Sequence, residues 1–468
     1  MNILKNVYFQ LLLLQLEEYD LIRFLKAVAK TKGMAPNRPV RKPLVFTAKL
    51  KTILAVSILI YLILVFFLFK TDDISSFRLI SFAFFTGLYL YFSFFFLIIA
   101  SILIFPFDFL VKEVTLFLAK RKIREFPNLK IIGIAGSYGK TGMKEFIATV
   151  LAQKYNVLKT PESVNTPFAI SDLILKKLSQ DTEIFVVEMG EYYRGDIKNI
   201  CAITRPDIAV VTGINEAHLE RLKTIGDAIA TIFEIVENMD EKGIVLLNGN
   251  DDLVENNYKK FIPSREVYLY KDKSGGEFDG NLPGYILKKG QSKIFFPLLG
   301  AYNLDKIDAV EFLAKKLGLN ENQIVAGIKN IKPVAHRLQP LVNRQTNTLI
   351  IDDSYNGNPD GVEEAINTLS QFKQRRKIYV TPGLVEMGKK TAEIHYNIGN
   401  KLAKVADLVV LIKNSVTPHI ARGLKDGGLD ENKIVFYESA DQAYKNLNKI
   451  VKSGDVVLLQ NDWPDNYL

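Results

Sequence analysis

The 468-residue sequence predicts an α/β protein in which two membrane-spanning helices precede two domains built on largely parallel sheets. Three observations predict it. Short apolar runs ending in polar residues alternate with helical patterns, which is the rhythm of βαβ units. That rhythm restarts near residue 333, so the soluble part divides into a larger domain and a smaller one. Ahead of both lie two long uncharged apolar runs, Thr52 to Phe69 and Leu79 to Phe107, each long enough to cross about 30 Å of hydrocarbon.

Residues 1–50 read as a basic amphipathic arm. Ten basic side chains face three acidic ones over residues 1–51, so +7 of the net +9 resides there. This asymmetry points to an anionic membrane surface and away from nucleic acid. Within the arm, residues 3–30 mix leucines with charges, predicting an interfacial amphipathic helix, with an ordinary helix packed on a partner as the alternative. Residues 51–110 form the hairpin. Its short connection, Lys70 to Arg78, carries Asp72 and Asp73, while lysines and arginines crowd both outer flanks, so both ends face the cytoplasm. A linker helix over 111–128 leads to a central domain, 129–332, and a C-terminal domain, 333–468. The stretch Lys271 to Gly290 reads as a surface loop or hairpin. The single cysteine, Cys201, excludes a disulfide framework and reads as a small buried apolar residue.

The most informative segment is Gly133-Ile134-Ala135-Gly136-Ser137-Tyr138-Gly139-Lys140-Thr141. It follows an apolar strand and opens a helix. Glycines such as Gly136 and Gly139 let the backbone, including Ser137, turn its N–H groups toward phosphate oxygens. Lys140 adds a full positive charge, and the Thr141 hydroxyl suits Mg²⁺. The spacing departs from G-x-x-x-x-G-K-[ST], because Ile134 stands at the first glycine. The central domain is thus of the P-loop kind and binds a nucleoside triphosphate. Glu188 ends another strand, where a phosphate-loop protein places a Mg²⁺-binding carboxylate. Further strands run into Thr212 to His218 and Asn248 to Asp252. In the smaller, Rossmann-like domain one runs into Asp352-Asp353-Ser354-Tyr355-Asn356-Gly357-Asn358-Pro359. Turn chemistry accounts for much of that last cluster; its adjacent carboxylates also suit a ribose or a cation. Arg337, at the domain junction, reads either as a contact to a γ-phosphate or as a surface arginine.

Taken in order, GIAGSYGKT, Asn165-Thr166-Pro167, Glu188-Met189-Gly190, Ile214 to Glu220, Asn248 to Asp252, Gly300 to Asn303, Ala335 to Gln339 and Asp352 to Gly361 resemble the Mur ligases, most closely their MurF type. The resemblance covers about residues 129–468. It implies ATP- and Mg²⁺-dependent amide bond formation in peptidoglycan synthesis, with an acyl phosphate intermediate and an amine such as D-alanyl-D-alanine. It also implies that Lys140 and Thr141 serve the phosphates and a first Mg²⁺, with Glu188 as its carboxylate. His218 would bind a second ion, Asn303 and Arg337 the nucleotide, and Asp353 its ribose. Asn165, Thr166, Tyr355, Asn356, Asn358, Glu386 and His395 would lie on the substrate side.

Three departures accompany the resemblance. Ile232 stands where the family has a carbamylated lysine. Only about twenty residues separate the second apolar run from the phosphate loop, too few for the family's UDP-sugar-binding domain. The tail Leu459 to Asp465 replaces a Lys-Gly-Ser stretch. The hairpin is therefore expected to hold the enzyme where lipid-linked precursors sit. Two other readings are a poly-γ-glutamate synthase-like amino-acid ligase and a nucleotide-binding scaffold without catalysis.

Overall fold

The computed structural model describes residues 3–34, 44–68, 76–215, 222–262, 266–272, 275–280, 282–289, 292–355, 357–384, 387 and 390–460. The chain forms two compact units, one built from residues 1–114 and the other from 115–463.

The first unit is helical: Ile3–Leu16, Leu21–Thr31, Ala48–Leu68, Ser76–Tyr91 and the start of Ser93–Ile123. Two expectations change here. The single amphipathic helix over 3–30 is divided at Glu17 to Asp20, and Asp20 caps the second half by accepting from Arg23 N–H at 2.9 Å. Only that second half is amphipathic; the first buries Phe9 and Leu11 to Leu14. The apolar run 79–107 is likewise broken between Tyr91 and Ser93, where Ser93 Oγ donates to the buried Gln10 at 2.5 Å. From there one helix continues through Pro106 to Ile123, absorbing most of the expected linker. Ala48–Phe67 and Ser93–Ile123 are the described helices long and apolar enough to cross a membrane, and few of their residues are buried.

Among the described residues the second unit holds three sheets. Strands β1 (Lys130–Ala135), β2 (Val157–Lys159), β3 (Ile184–Glu188), β4 (Ile208–Val211), β5 (Ile244–Asn248) and β6 (Val267–Tyr270) form an all-parallel sheet in the order β2-β3-β1-β4-β5-β6. Helices cover both faces, so β1, β3 and β4 are apolar almost throughout and buried. The neighbouring strands β1 and β4 send their connections in opposite directions, to β2 and to β5, which opens a crevice at the carboxyl ends. The loop-or-hairpin stretch folds as a small antiparallel sheet of β7 (Glu277–Phe278), β8 (Tyr285–Lys289) and β9 (Ser292–Phe296).

The third sheet comprises β10 (Gln339–Asn343), β11 (Thr348–Asp353), β12 (Lys377–Thr381), β13 (Leu408–Ile412), β14 (Ile434–Tyr437) and β15 (Val456–Gln460). Its order is β10-β11-β15-β12-β13-β14, parallel except for the antiparallel edge strand β10. The last strand slots into the middle, so Asp353 and Gln460 end side by side. Cys201 is buried among apolar side chains, and burial pushes its thiol up to about 12.

Candidate nucleotide and metal site

Four residues separate β1 from the helix Lys140–Leu151. Gly136 (φ +144°) and Gly139 (φ +78°) take conformations that disfavour side chains. A Cβ on Gly136 would lie 2.2 Å from Thr212 Oγ1, so the end of β4 presses on the loop. The loop is also tied from outside. Ser137 N–H donates to Gly213 O at 2.7 Å, and the Tyr138 hydroxyl donates to Asp251 Oδ2 at 2.6 Å. Asp251 accepts in addition from Ile214 N–H at 3.0 Å and caps the helix Asp252–Phe261 through Val254 N–H at 2.8 Å. One buried carboxylate thereby joins the ends of β1, β4 and β5.

Lys140 Nζ donates to the Gly136 carbonyl and, at 2.8 Å, to Glu191 Oε1. Thr141 Oγ1 lies 3.2 Å from Glu188 Oε1, while the fully buried Lys144 holds Glu188 Oε2 at 3.0 Å. Two hard oxygen donors at a helix N-terminus beside a phosphate loop fit Mg²⁺, with Thr141 and Glu188 holding it. Among the described residues no cluster of three His, Cys, Asp or Glu could cage a metal. Water and phosphate oxygens would therefore complete the shell, as Mg²⁺ prefers. His218 lies outside the described residues. Ile232 is fully buried in the core of the parallel-sheet domain. Two residues on, Glu234 accepts from Gly195 and Lys198 N–H at 2.8 and 3.0 Å, and burial raises its pKa.

A cavity of about 300 Å³ opens between the phosphate loop and the C-terminal domain, walled by Tyr138, Gly139, Tyr302, Lys306, Arg337 and Asp353. Asn303, Tyr355 and Asn358 also line it. Asn303 is buried, with its amide donating to Leu299 O and its oxygen accepting from Lys306 Nζ, both at 2.7 Å. Lys306 lies 4.2 Å over the Tyr302 ring; burial first, then the charge of Arg337, brings its pKa down to about 7. The Arg337 guanidinium stacks 4.5 Å over Tyr355. Asp353 accepts from Leu338 N–H at 3.1 Å. Burial pushes its pKa up to about 6, assisted by Asp352 and opposed by that amide and by Arg337. Asp352 in turn meets His336 Nδ1 at 2.8 Å.

The structure thus brings Lys140, Thr141 and Glu188 together, and gathers Asn303, Arg337, Asp353, Tyr355 and Asn358 on one cavity. Other expected substrate contacts are engaged within the fold. The Thr166 hydroxyl caps the helix Pro167–Lys177 through Ala169 N–H, and the Asn165 carbonyl accepts from Gly190 N–H at 2.8 Å. Asn358 Oδ1 caps the helix Pro359–Ser370 through Gly361 N–H at 2.8 Å. His395 is buried, accepting at Nε2 from Leu384 N–H (2.8 Å) and donating from Nδ1 to Thr391 O (2.6 Å). It fastens the turn after β12, and burial lowers its pKa. Asn356 and Glu386 lie outside the described residues. Sequence reasoning missed Glu191, Lys144, Lys306 and His336. The one local signal was spacing, since Lys144 follows Lys140 by one helical turn and shares its face.

Two family models match: the Mur ligase middle domain over residues 134–306, and the Mur ligase glutamate ligase domain over residues 336–460. The chain belongs to the Mur ligase family. Its similarity to other Mur ligases extends to the UDP-N-acetylmuramoyl-tripeptide–D-alanyl-D-alanine ligase of Escherichia coli, 27% identical over 67% of this chain and 71% of the relative. The Bacillus subtilis ligase of the same name is 25% identical over 73% and 75%. Among solved structures, the MurF ligase from Thermotoga maritima in complex with ADP superposes with a TM-score of 0.63 at 25% identity, covering 76% of this chain and 81% of that one. MurF from Acinetobacter baumannii gives 0.65 at 22% identity, covering 76% and 78%. This Mur ligase is accordingly an enzyme of the ATP-dependent acid–amino-acid ligase class.

Proposed function

We propose that this chain joins D-alanyl-D-alanine, or a similar amine, to the terminal carboxylate of a peptidoglycan precursor peptide while held at the cytoplasmic face of a membrane. The observation that carries the chemistry is the convergence of Lys140, Thr141 and Glu188 at the crevice of one domain, while Arg337 and Asp353 of the other line a cavity walled by Tyr138 and Gly139 of the same phosphate loop.

A carboxylate is a poor acyl donor. Its oxygen attacks the γ-phosphorus of ATP, the bond to the β–γ bridging oxygen breaks, and ADP leaves. The acyl phosphate is then attacked by the amine, which loses a proton as inorganic phosphate departs with the C–O electron pair. The first step brings two anions together, and positive charge must lower that barrier. Lys140 and the amides of the helix N-terminus supply fixed positive charge there. Mg²⁺, held by Thr141 and Glu188, would supply charge neutralisation at the phosphate oxygens. Arg337 adds a guanidinium at the domain junction, and Asp353 suits the ribose hydroxyls.

Two features support the membrane site. The outer faces of Ala48–Phe67 and Ser93–Ile123 expose Phe66, Phe105 and Phe107 by 65%, 66% and 72%, an arrangement that water disfavours. Basic residues flank these helices on the side where positive charge is retained.

The test is ADP release by the full-length protein with D-alanyl-D-alanine and a muramoyl tripeptide. Turnover in the wild type and its loss in Lys140→Ala, by at least about a hundredfold, is the expected result. A Lys140→Ala variant as fast as the wild type would sink the reading.

A further inference from the structure

Glu191 has no part in the chemistry above, yet it is placed on the most important cation of the site. Its carboxylate is 2% exposed and lies 2.8 Å from Lys140 Nζ, itself 12% exposed. The neighbouring pair differs in kind. Lys144 is wholly enclosed and pairs with Glu188 Oε2, which leaves Oε1 facing Thr141. Lys140 stands at the mouth of the loop, where phosphates would claim it.

The charges of this corner therefore cancel: Lys140 and Lys144 stand against the poorly solvated Glu191 and Glu188, and Glu145, 3.9 Å from Lys144, is itself paired with Lys159. A cancelled site offers a polyanion little attraction. Drawing Lys140 onto phosphate would also leave a buried carboxylate unpaired beside more negative charge, which is costly. An additional cation removes both obstacles. We propose that Glu191 is an anionic latch on Lys140 that makes nucleotide binding depend on a divalent ion. Without the ion the ammonium stays on Glu191. With it, the added charge offsets the carboxylate, and Lys140 is free to meet the phosphates. The ligase then does not capture metal-free nucleotide, with which it could not react. This inference rests on the nucleotide reading given above.

The experiment titrates ADP into the full-length protein by calorimetry, once in excess MgCl₂ and once in EDTA, for wild type and Glu191→Gln. Glutamine keeps the size and a polar partner for Lys140 but removes the charge. Wild type should bind much more weakly in EDTA. In Glu191→Gln the metal-free affinity should rise on the order of tenfold, with the magnesium-bound affinity nearly unchanged, so the metal dependence shrinks by that factor. Glu191→Ala, checked for an intact thermal transition, should shrink it as well. An undiminished metal dependence in both variants, or equal weakening with and without magnesium, overturns the latch. A wild type that binds no ADP even in magnesium would instead remove the nucleotide reading on which the latch rests.

Discussion

Asp353 shows how far one side chain can be pushed by its surroundings. Enclosed at the end of β11, its carboxyl has a pKa of about 6 against an ordinary 3.8. The native state then holds a proton over a pH range in which the unfolded chain has released it. With more protons bound in the folded state, stability falls as pH rises from about 4 to about 6 and is level above that. The span corresponds to at most about 3 kcal/mol. Urea denaturation at pH 4.5 and 6.5 should show this loss in the wild type and not in Asp353→Asn; equal slopes in the two proteins would contradict it. Asn303 teaches the complementary lesson. The motif that contains it is legible in sequence, but its amide is taken up by Leu299 O and Lys306, so the ammonium of Lys306 lines the cavity beside it.

At the scale of elements, helix starts do much of the positioning. Thr166, Thr224, Asp251 and Asn358 each cap a helix whose N-terminus lies at or near a strand's carboxyl end. Thr166 and Asn358 were expected among the substrate contacts, because a cap and a ligand contact draw on the same small polar residues. Thr166→Ala should therefore cost about 1 kcal/mol of stability, and Thr166→Ser should restore most of it. Thermal melts measure that cost. A raised KM at unchanged stability would favour substrate contact instead. The division of residues 3–30 and the break at Tyr91–Ser93 are also element-scale outcomes. Composition marks apolar length, whereas Gln10 pairing with Ser93 depends on residues 83 positions apart.

The chain divides into two units, and both matched Mur ligase domains fall within the second, residues 115–463. Removing residues 1–114 should leave the magnesium-dependent affinity for ADP unchanged and release the protein from the membrane fraction. Activity on a lipid-linked acceptor in vesicles should fall, while activity on a soluble acceptor should persist. If the truncated chain still sedimented with membranes, or worked equally on both acceptors, the anchoring role would be lost. Ile232 belongs to this scale as well. Its side chain packs in the core, so the described residues supply one carboxylate–hydroxyl pair for a metal at this corner, Glu188 with Thr141.

Contiguous patterns determined what could be known from the chain alone. Glycine spacing around Lys140 and the apolar runs before Glu188 and Asp352 report local backbone demands, so the phosphate loop, the two-domain series and the family resemblance were legible without coordinates. Tertiary structure alone decided the rest. It slotted β15 between β11 and β12, tied Tyr138 to Asp251 across 113 residues, and set Glu191 on Lys140 across 51. Such pairings are fixed by how strands order themselves within a sheet. Charge compensation in a buried corner depends on which distant groups that order makes neighbours, and no local pattern encodes it.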